Sequence, residues 1–155
     1  MKTIDIYSKG DYPASVLSNF HPNEFCIDGV RCGSMEGFLQ SLKFRSEKKQ
    51  REIAALKGRE AKWAARRKFF WRLTGRVRWQ GRSIKRTGAE FSSLVLRAYA
   101  LMYEQSASFR GALDSTVGVT LTHSIGKHSK QKTILTEEEF IYALTVTRAL
   151  NQSKT

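Results

Sequence analysis

An acid, an amide and an amine recur at helical spacing in one stretch of the chain, as Glu36, Gln40 and Lys43. If residues 31–44 form a helix, these side chains lie along one stripe, because positions i, i+4 and i+7 share a helix face. A carboxyl group can transfer protons and a neutral amine can act as a nucleophile, so the row predicts acid–base or covalent catalysis. A row of surface salt-bridge partners has the same spacing and is the alternative interpretation.

Three apolar residues, Met35, Leu39 and Leu42, fall on the stripe next to this polar row. Buried in a core, they would hold the helix with its polar row at the border of that core. Ser34 is the predicted N-cap, because its hydroxyl can accept a hydrogen bond from an early helical N–H, although Gly37 weakens the first turn. The helix is therefore expected to present its polar row to a cleft.

Two further places in the sequence offer polar side chains in an apolar setting. Ser18 and Asn19 form a polar pair among apolar residues, followed by Phe20, which predicts a turn with two side chains able to hydrogen-bond. His123 falls on the apolar face of an alternating segment, residues 117–125, which is typical of a half-buried strand. Its titration range makes it a candidate for the site, and packing in the core is the alternative.

Between Trp71 and Arg86 two tryptophans lie among several arginines, and the pair Arg78 and Trp79 lies at the centre. Aromatic rings beside guanidinium groups suit a loop that stacks on bases and holds phosphates, so an anion-binding lid is predicted here. The alternative is that Trp71 and Trp79 pack in the core with arginines along its rim.

The chain has 155 residues, 27 Lys and Arg against 14 Asp and Glu, and a formal net charge of +13. That length predicts a single domain over residues 1–155. The charge predicts attraction to a phosphate-rich partner, either nucleic acid or a phosphorylated small substrate. A basic surface without such a partner is the alternative.

The two cysteines, Cys26 and Cys32, have no further Cys or His at ligand spacing, so neither a zinc site nor a disulfide framework is predicted. No phosphate-binding glycine loop or nucleophile elbow is present in the sequence, and no cofactor is expected. Since the sequence has neither a signal-peptide apolar block nor a run of transmembrane length, the expected location is the cytoplasm without membrane attachment.

The pattern of apolar residues predicts an α+β fold, mainly helical around a small sheet. Phe91, Leu94, Val95, Ala98 and Tyr99 follow the amphipathic rule and predict a core-facing helix. The expected elements are strands at 4–7 and 117–125, a hairpin at 25–30, one or two helices over 47–70, and helices over 88–105, over 108–113 and after a capping box at 136–139.

A family resemblance joins several of these stretches. Leu17-Ser18-Asn19-Phe20, the Asp28-Gly29 turn, Ser34-Met35-Glu36 and the run from Gln40 to Phe44 resemble, in order and spacing, the N-terminal signature of the NADAR superfamily, the YbiA-like N-glycosidases. The sequence departs from that pattern twice. Gly37 stands where the family usually has His, and residues 121–127 replace a C-terminal acidic segment ending in Trp-Gly.

The resemblance implies a role for each candidate. Lys43 would attack the anomeric carbon of a sugar and form a Schiff base, with Glu36 moving protons. The other expected substrate-binding residues are Ser18, Asn19, Phe20, Gln40 and His123, together with Arg66, Arg67 and Arg78 as phosphate ligands and Trp79 as a ring that stacks on the base.

The resemblance also implies the reaction, and two substrates stay open. One is ADP-ribose on a guanine base in DNA, RNA or a nucleotide, and the other is a phosphoribosylated intermediate of riboflavin synthesis. The charge of +13 favours the first, because a polyanionic chain engages more of a basic surface than one phosphate does. A non-catalytic module that binds ADP-ribose or nucleic acid is the third possibility.

Overall fold

The structure is a computed structural model, and it describes residues 2–154. Met1 and Thr155, the two ends of the expected domain, lie outside the described residues. The elements in chain order are β1 (Thr3–Asp5), α1 (Ala14–Leu17), β2 (Phe25–Ile27), β3 (Val30–Cys32), α2 (Met35–Ser41), α3 (Glu47–Ala54), α4 (Gly58–Ala64), α5 (Phe70–Thr74), β4 (Arg76–Trp79), β5 (Arg82–Lys85), α6 (Ala89–Gln105), α7 (Ala107–Asp114), β6 (Thr120–Thr122) and α8 (Glu137–Gln152).

The strands of the described region form three separate pairs. β2 and β3 make an antiparallel hairpin around Asp28 and Gly29, which have positive φ angles of 50° and 78°, as the Asp-Gly turn predicts. β4 and β5 form a second hairpin, and β1 pairs in parallel with β6. The predicted α+β class with mainly helical content is confirmed, and the small sheet consists of three two-stranded pieces.

Helix α2 lies at the centre of the fold. All seven of its residues are buried, because it is enclosed by α3, α4, α6 and β3. Ser34 caps it by accepting a hydrogen bond from the N–H of Gly37 at 3.0 Å, as predicted. Helix α6 packs its predicted apolar stripe against the same core. Within the described residues no helix is both long and apolar enough to cross a membrane.

Two predicted element bounds are wrong, and the helices predicted over 47–70 are confirmed. The helix expected over 31–44 spans only Met35–Ser41, because its start is strand β3 and its end tightens into a turn in which the N–H of Lys43 bonds the carbonyl of Gln40 at 3.2 Å. The segment 47–70 holds two helices, α3 and α4, within the predicted number, and ends at the first residue of α5. The strand expected over 117–125 is limited to Thr120–Thr122.

The segment from Trp71 to Arg86 is not a lid loop. It contains most of α5 and the whole β4–β5 hairpin, and the period of two in β4 turns Val77 and Trp79 inward while Arg76 stays exposed. Trp71 is also buried. The core interpretation of both tryptophans is therefore the correct one.

Gly33 and Gly37 allow α2 to lie directly on the end of α3. A Cβ at Gly33 would stand 2.3 Å from the carbonyl oxygen of Ala55, and one at Gly37 would stand 2.5 Å from that of Ala54. The N–H of Gly33 also donates to the Ala54 carbonyl at 2.8 Å. Because Gly37 faces this joint, the histidine that the resemblance leads one to expect would collide with backbone here.

Candidate active site

A cavity of about 370 Å³ opens beside α2 and gathers the polar row. Glu36, Gln40 and Lys43 all line it, although Lys43 lies beyond the end of the helix. Its other walls come from the turn after α1, from α4 and α5, and from the connection between β6 and α8. The predicted convergence of an acid, an amide and an amine is therefore present.

Glu36 is a buried carboxyl group held from two sides. Its N–H donates to the carbonyl of Asn19 at 3.0 Å, and its Oε1 accepts a hydrogen bond of 2.7 Å from Gln40 Nε2. Burial raises the pKa of Glu36, and this outweighs the lowering by the Gln40 hydrogen bond and by the positive charges of Lys62 and Lys43. Such a carboxyl group is suited to donating a proton.

Lys43 is an amine in a setting that favours its neutral form. Burial, together with the charges of Arg72 and Lys62, lowers the pKa of Lys43 to about 8, against the opposing influence of Glu36. Its Nζ lies 5.6 Å from the centre of the Trp71 ring. No carboxylate of residues 2–154 forms an ion pair with it, so the nitrogen is open to the cavity.

The side-chain oxygen of Gln40 is available to a ligand. Its Nε2 is bound to Glu36, but its Oε1 is buried and has no hydrogen-bond partner in the described part of the chain. Because an unpaired buried acceptor is costly, a donor from a bound ligand would relieve it. The amide is thus prepared to accept a hydrogen bond from a hydroxyl or amine inside the cavity.

Asn19 is oriented by a residue that the sequence did not single out for the site. Tyr99, fully buried on α6, donates its hydroxyl to Asn19 Oδ1 at 2.6 Å. This bond leaves Nδ2 as the amide group that Asn19 can offer to a ligand. A hydroxyl on an otherwise apolar stripe is the signal that could have identified Tyr99, since buried phenols require a partner.

Ser18 and Phe20 complete the turn that carries Asn19. Ser18 Oγ accepts a hydrogen bond from the N–H of Phe20 at 3.2 Å, and both residues line the cavity as predicted. A Cβ at Gly58 would stand 2.3 Å from the Cα of Phe20, so α4 begins against this turn. One helical turn later, Lys62 reaches the cavity with its Nζ 5.6 Å from the Phe20 ring.

His123 lines the cavity and is also packed. Its ring stands edge-on to Phe140 at 5.0 Å, and its Nδ1 lies 2.7 Å from the carbonyl oxygen of Ile6. A carbonyl only accepts, so Nδ1 carries the proton and Nε2 is the acceptor in the neutral ring. The packed interpretation is confirmed, and the predicted role of His123 in substrate binding stays a prediction.

Positive charge dominates the cavity wall. Six cationic residues line it against one carboxyl group, that of Glu36, and they are Lys43, Lys62, Arg66, Arg72, Lys127 and Lys132. Only Lys43 and Arg66 were predicted as site residues. The four-residue spacing from Lys62 on α4 to Arg66 in the turn after this helix is the signal that could have identified Lys62. Lys127 and Lys132 lie on the irregular connection, where no periodicity points to them.

Three predicted substrate ligands do not line the cavity: Arg67, Arg78 and Trp79. Trp79 is buried, stands edge-on to Phe38 at 5.2 Å, and donates from Nε1 to Asp28 at 2.7 Å. Its ring is therefore committed to the core, and the expected stacking on a base inside this cavity is not supported. Arg67 is exposed on the surface beyond α4.

The connection that forms the far wall is held by Arg86, a fully buried arginine. Its guanidinium makes two hydrogen bonds to the Glu139 carboxylate, at 2.6 and 3.0 Å, and two to the carbonyl of Thr133. Glu139 also accepts from the N–H of Thr136 at 2.8 Å, which completes the predicted capping box. This arginine, expected in an anion-binding lid, is instead an internal anchor of the cavity wall.

Among the described residues, one group of side chains brings potential metal ligands together, and it lies outside the cavity. His128, Glu137 and Glu138 bring ligand atoms within 4.8 Å of one another. His128 Nδ1 lies 2.6 Å from Glu138 and Nε2 lies 3.3 Å from Glu137, and the bond to Glu138 raises the pKa of His128. The charges of this exposed group therefore satisfy one another.

Comparison with known proteins identifies the family and the fold of the chain. The family described as bacteriophage protein GP30.3 matches residues 11–149. An uncharacterized 17.1 kDa protein from the Gp30–rIII intergenic region of Enterobacteria phage T4 is 36% identical over 149 residues, covering 96% of this chain and 98% of its own length. The NMR structure of the E. coli protein YbiA superposes with a TM-score of 0.67 at 19% identity, over 99% of this chain and 86% of YbiA, and shares its fold. The chain therefore belongs to the bacteriophage protein GP30.3 family, a NADAR-like family, as the resemblance predicted.

Proposed function

We propose that this protein is an N-glycosidase that removes ADP-ribose from a guanine base of nucleic acid or of a nucleotide. The observation that carries the proposal is the pairing, in one cationic cavity, of a carboxyl group with a raised pKa and an amine with a lowered one, Glu36 and Lys43. Perturbation of two titratable groups toward proton donor and nucleophile is typical of catalytic sites. Membership of a NADAR-like family supports hydrolase chemistry.

In the first step, the lone pair of neutral Lys43 Nζ forms a bond to the anomeric carbon. The bond from that carbon to the base nitrogen breaks at the same time, and the nitrogen keeps the electron pair and takes the proton of the Glu36 carboxyl group. The raised pKa of Glu36 keeps this proton available at higher pH than in an ordinary carboxyl group, and the lowered pKa of Lys43, about 8, makes the lone pair more available.

In the second step, Nζ returns one proton to the Glu36 carboxylate, and Glu36 passes it to the ring oxygen as the sugar opens. The nitrogen lone pair then forms the C=N bond of a protonated Schiff base on Lys43. Water adds to this carbon, and the carbon–nitrogen bond then breaks with its electron pair on Nζ. One proton of the water goes to Nζ, which leaves as a free amine, and the other restores the Glu36 carboxyl group, while the sugar closes again. The balance of the reaction is hydrolysis of one N-glycosidic bond.

The substrate contacts follow from groups that lack partners. The buried Oε1 of Gln40 would accept a hydrogen bond from a sugar hydroxyl, and Asn19 Nδ2 would donate one. The diphosphate of ADP-ribose would lie among Lys62, Arg66 and Arg72. Such pairing relieves the mutual repulsion of these cations, so the ligand and the cavity charge are matched.

The number of cations is the observation that favours ADP-ribose over a phosphoribosylated riboflavin intermediate. Five cationic side chains besides Lys43 line the cavity, which is more than one phosphate group would engage. The riboflavin-type substrate is the second candidate within the same chemistry, since the sugar–nitrogen bond is the same kind of bond. A module that only binds ADP-ribose is the non-catalytic alternative.

Replacement of the nucleophile tests the proposal. We expect Lys43→Ala to abolish release of ADP-ribose from an ADP-ribosylated guanine oligonucleotide, while its affinity for ADP-ribose, measured by calorimetry, stays within a few-fold. Borohydride added during turnover should leave a reduced adduct on Lys43, located by peptide mass spectrometry. Lys49→Ala, which changes an exposed lysine of α3, is the matched control and should be fully active.

Two outcomes contradict the mechanism. One is normal turnover by Lys43→Ala, and the other is turnover by the unmodified protein without any borohydride adduct. Release of the sugar from the riboflavin intermediate alone would keep the mechanism and replace the substrate. Binding of ADP-ribose with no turnover of either substrate would identify a non-catalytic module.

A further inference from the structure

A cluster of exposed aromatic residues lies next to the cavity, outside the proposed catalytic groups. Trp63, Phe69 and Phe70 are 67%, 59% and 63% exposed, and Leu73 is 73% exposed. Three- and four-residue spacing puts Phe69, Phe70 and Leu73 on the outer side of α5, while Trp71 fixes its inner side to the core. Exposed rings in this number are a reason to expect an interaction surface.

Positive charge surrounds these rings. The stretch 57–76, termed here the α4–α5 surface, carries eight basic residues and one acidic residue, and all eight basic side chains are exposed: Lys57, Arg59, Lys62, Arg66, Arg67, Lys68, Arg72 and Arg76. None of the eight forms an ion pair with a carboxylate within residues 2–154. The surface therefore offers uncompensated positive charge to a partner.

The α4–α5 surface continues into the cavity. Arg66 lies over the Trp63 ring, with the guanidinium carbon 3.7 Å from the ring centre, and also lines the cavity. Arg72 of α5 lines the cavity from the second helix. A partner lying along the exposed rings would thus meet the cavity opening at both arginines.

We infer that the α4–α5 surface binds a single strand of nucleic acid, with bases stacked on Trp63, Phe69 and Phe70 and phosphates held by the surrounding cations. Exposed rings interleaved with Lys and Arg are the combination that holds single strands, since every base has a face that can stack. A duplex keeps those faces inside its own stack and would use only the charges. The inference concerns binding and goes beyond the cleavage proposed above.

An anionic membrane is the competing partner for a basic and aromatic surface, and the geometry disfavours it. Helices that lie in a membrane interface present a long continuous apolar face. Here α5 has five residues, and α4 exposes one large apolar side chain, Trp63, with an arginine stacked on its ring. Arg66, Arg67 and Lys68 separate Trp63 from the ring pair Phe69 and Phe70, an arrangement that matches bases beside phosphates better than it matches a lipid layer.

Binding of a labelled oligothymidylate of about 15 nucleotides, followed by fluorescence anisotropy, tests the inference. This probe contains no guanine, so its binding does not depend on the proposed cleavage, and Lys43→Ala should bind it as the unmodified protein does. We expect Trp63→Ala, Phe69→Ala and Phe70→Ala each to weaken binding between about fivefold and about a hundredfold, the cost of losing one stacked base. Arg67→Ala should lower the slope of log affinity against log salt by about 0.7.

The matched controls are exposed residues of the same types elsewhere. Tyr142→Ala removes a ring that is 61% exposed on α8, and Arg31→Ala removes an arginine of the β2–β3 hairpin. Both should bind the probe normally. Equal losses in Tyr142→Ala, normal binding by all three ring variants, or preference for phosphatidylserine vesicles over the oligonucleotide would each overturn the inference. Tighter binding to a duplex of equal length would also overturn it.

Discussion

Burial has opposite results for two glutamates, Glu36 in the cavity lining and Glu139 behind the wall that includes Thr133 and Thr136. Glu36 has an amide as its hydrogen-bond partner and no ion pair in the described chain, so burial dominates and raises its pKa. For Glu139 burial also opposes the charged form, but the bonds and charge of Arg86 and the N–H of Thr136 outweigh it and lower the pKa. The partner, more than the burial, decides the charge state.

The two glutamates have different roles, one structural and one suited to chemistry. The charged carboxylate of Glu139 pairs with Arg86 and caps the start of α8. It therefore stabilises the cavity wall and, as a carboxylate, cannot donate a proton. Glu36 is left without a cation at hydrogen-bond distance and can keep its proton in a cavity that is otherwise positive. A buried acid without its own arginine is therefore the better candidate for chemistry.

Removing the acidic proton of Glu36 should have the largest expected effect, a loss of turnover. Glu36→Gln keeps an oxygen that can accept from Gln40, so the local structure should hold, while proton donation is lost. We expect turnover of the ADP-ribosylated guanine substrate to fall by about 10²- to 10⁴-fold with ligand affinity nearly unchanged, measured by steady-state kinetics and calorimetry. An exposed acid gives the control, Glu24→Gln. A fully active Glu36→Gln would break the distinction drawn between the two acids.

Removing the partner of Glu139 should affect stability next. Arg86→Met leaves a carboxylate that is 19% exposed without its cation, and we expect the free energy of unfolding in urea to fall by about 3 kcal/mol, the lower end of the range for a fully buried pair. The exposed pair of Arg82 and Glu90 provides the control, since Arg82→Met should cost less than about 1 kcal/mol. Similar losses in both variants would mean that the buried pair contributes no more than a surface pair.

The smallest expected effect is a difference in how the two glutamates make the free energy of unfolding depend on pH. Because the folded pKa of Glu36 is raised above its ordinary 4.5, its favourable contribution is present below that pH and is lost as pH rises through the folded value. For Glu139, whose pKa is lowered, the contribution is present above 4.5 and is lost as pH falls through the folded value. Titration of Glu36 therefore changes the free energy of unfolding above pH 4.5, and titration of Glu139 changes it below pH 4.5.

Urea unfolding from about pH 4 to about pH 7 can detect the contribution of Glu36, below the titration of Lys43 near 8. Glu36→Gln should gain stability relative to the unmodified protein as pH rises, by about 1.4 kcal/mol for each pKa unit by which Glu36 is raised. A stability difference that stays constant over this range would show that Glu36 titrates at its ordinary pKa.

Local spacing was enough to predict the inner face of the cavity. Glu36 and Gln40 are four residues apart on a capped helix, and the Ser18-Asn19 pair is a turn, so short-range rules placed their side chains. Lys43 reached the cavity for a different reason than expected, because a tight turn follows the helix. The opposite wall depends on contacts between distant segments, such as Tyr99 with Asn19 and Arg86 with Glu139, which periodicity does not encode.

The error over Trp79 has a local cause that the sequence contained. Arg76-Val77-Arg78-Trp79 alternates in polarity and is followed by Gln80-Gly81, where both residues have positive φ, so the stretch is a strand leading into a hairpin turn. The residue types alone predicted a lid, whereas their alternation predicts a strand. The exposed rings next to the cavity are Trp63 of α4 and Phe69 and Phe70 at the start of α5, where helical packing gives the inner position to Trp71.

The glycine joint between α2 and α3 also bears on how such chains can diverge. Backbone of residues 54–56 occupies the space that side chains at Gly33 and Gly37 would need. A homologue with histidine at the second position must therefore carry its α3–α4 connection elsewhere, by a change of length or of path. We expect residue identity at these two glycines and the length of that connection to covary across the family, with the neighbouring acid, Glu36, free of that constraint.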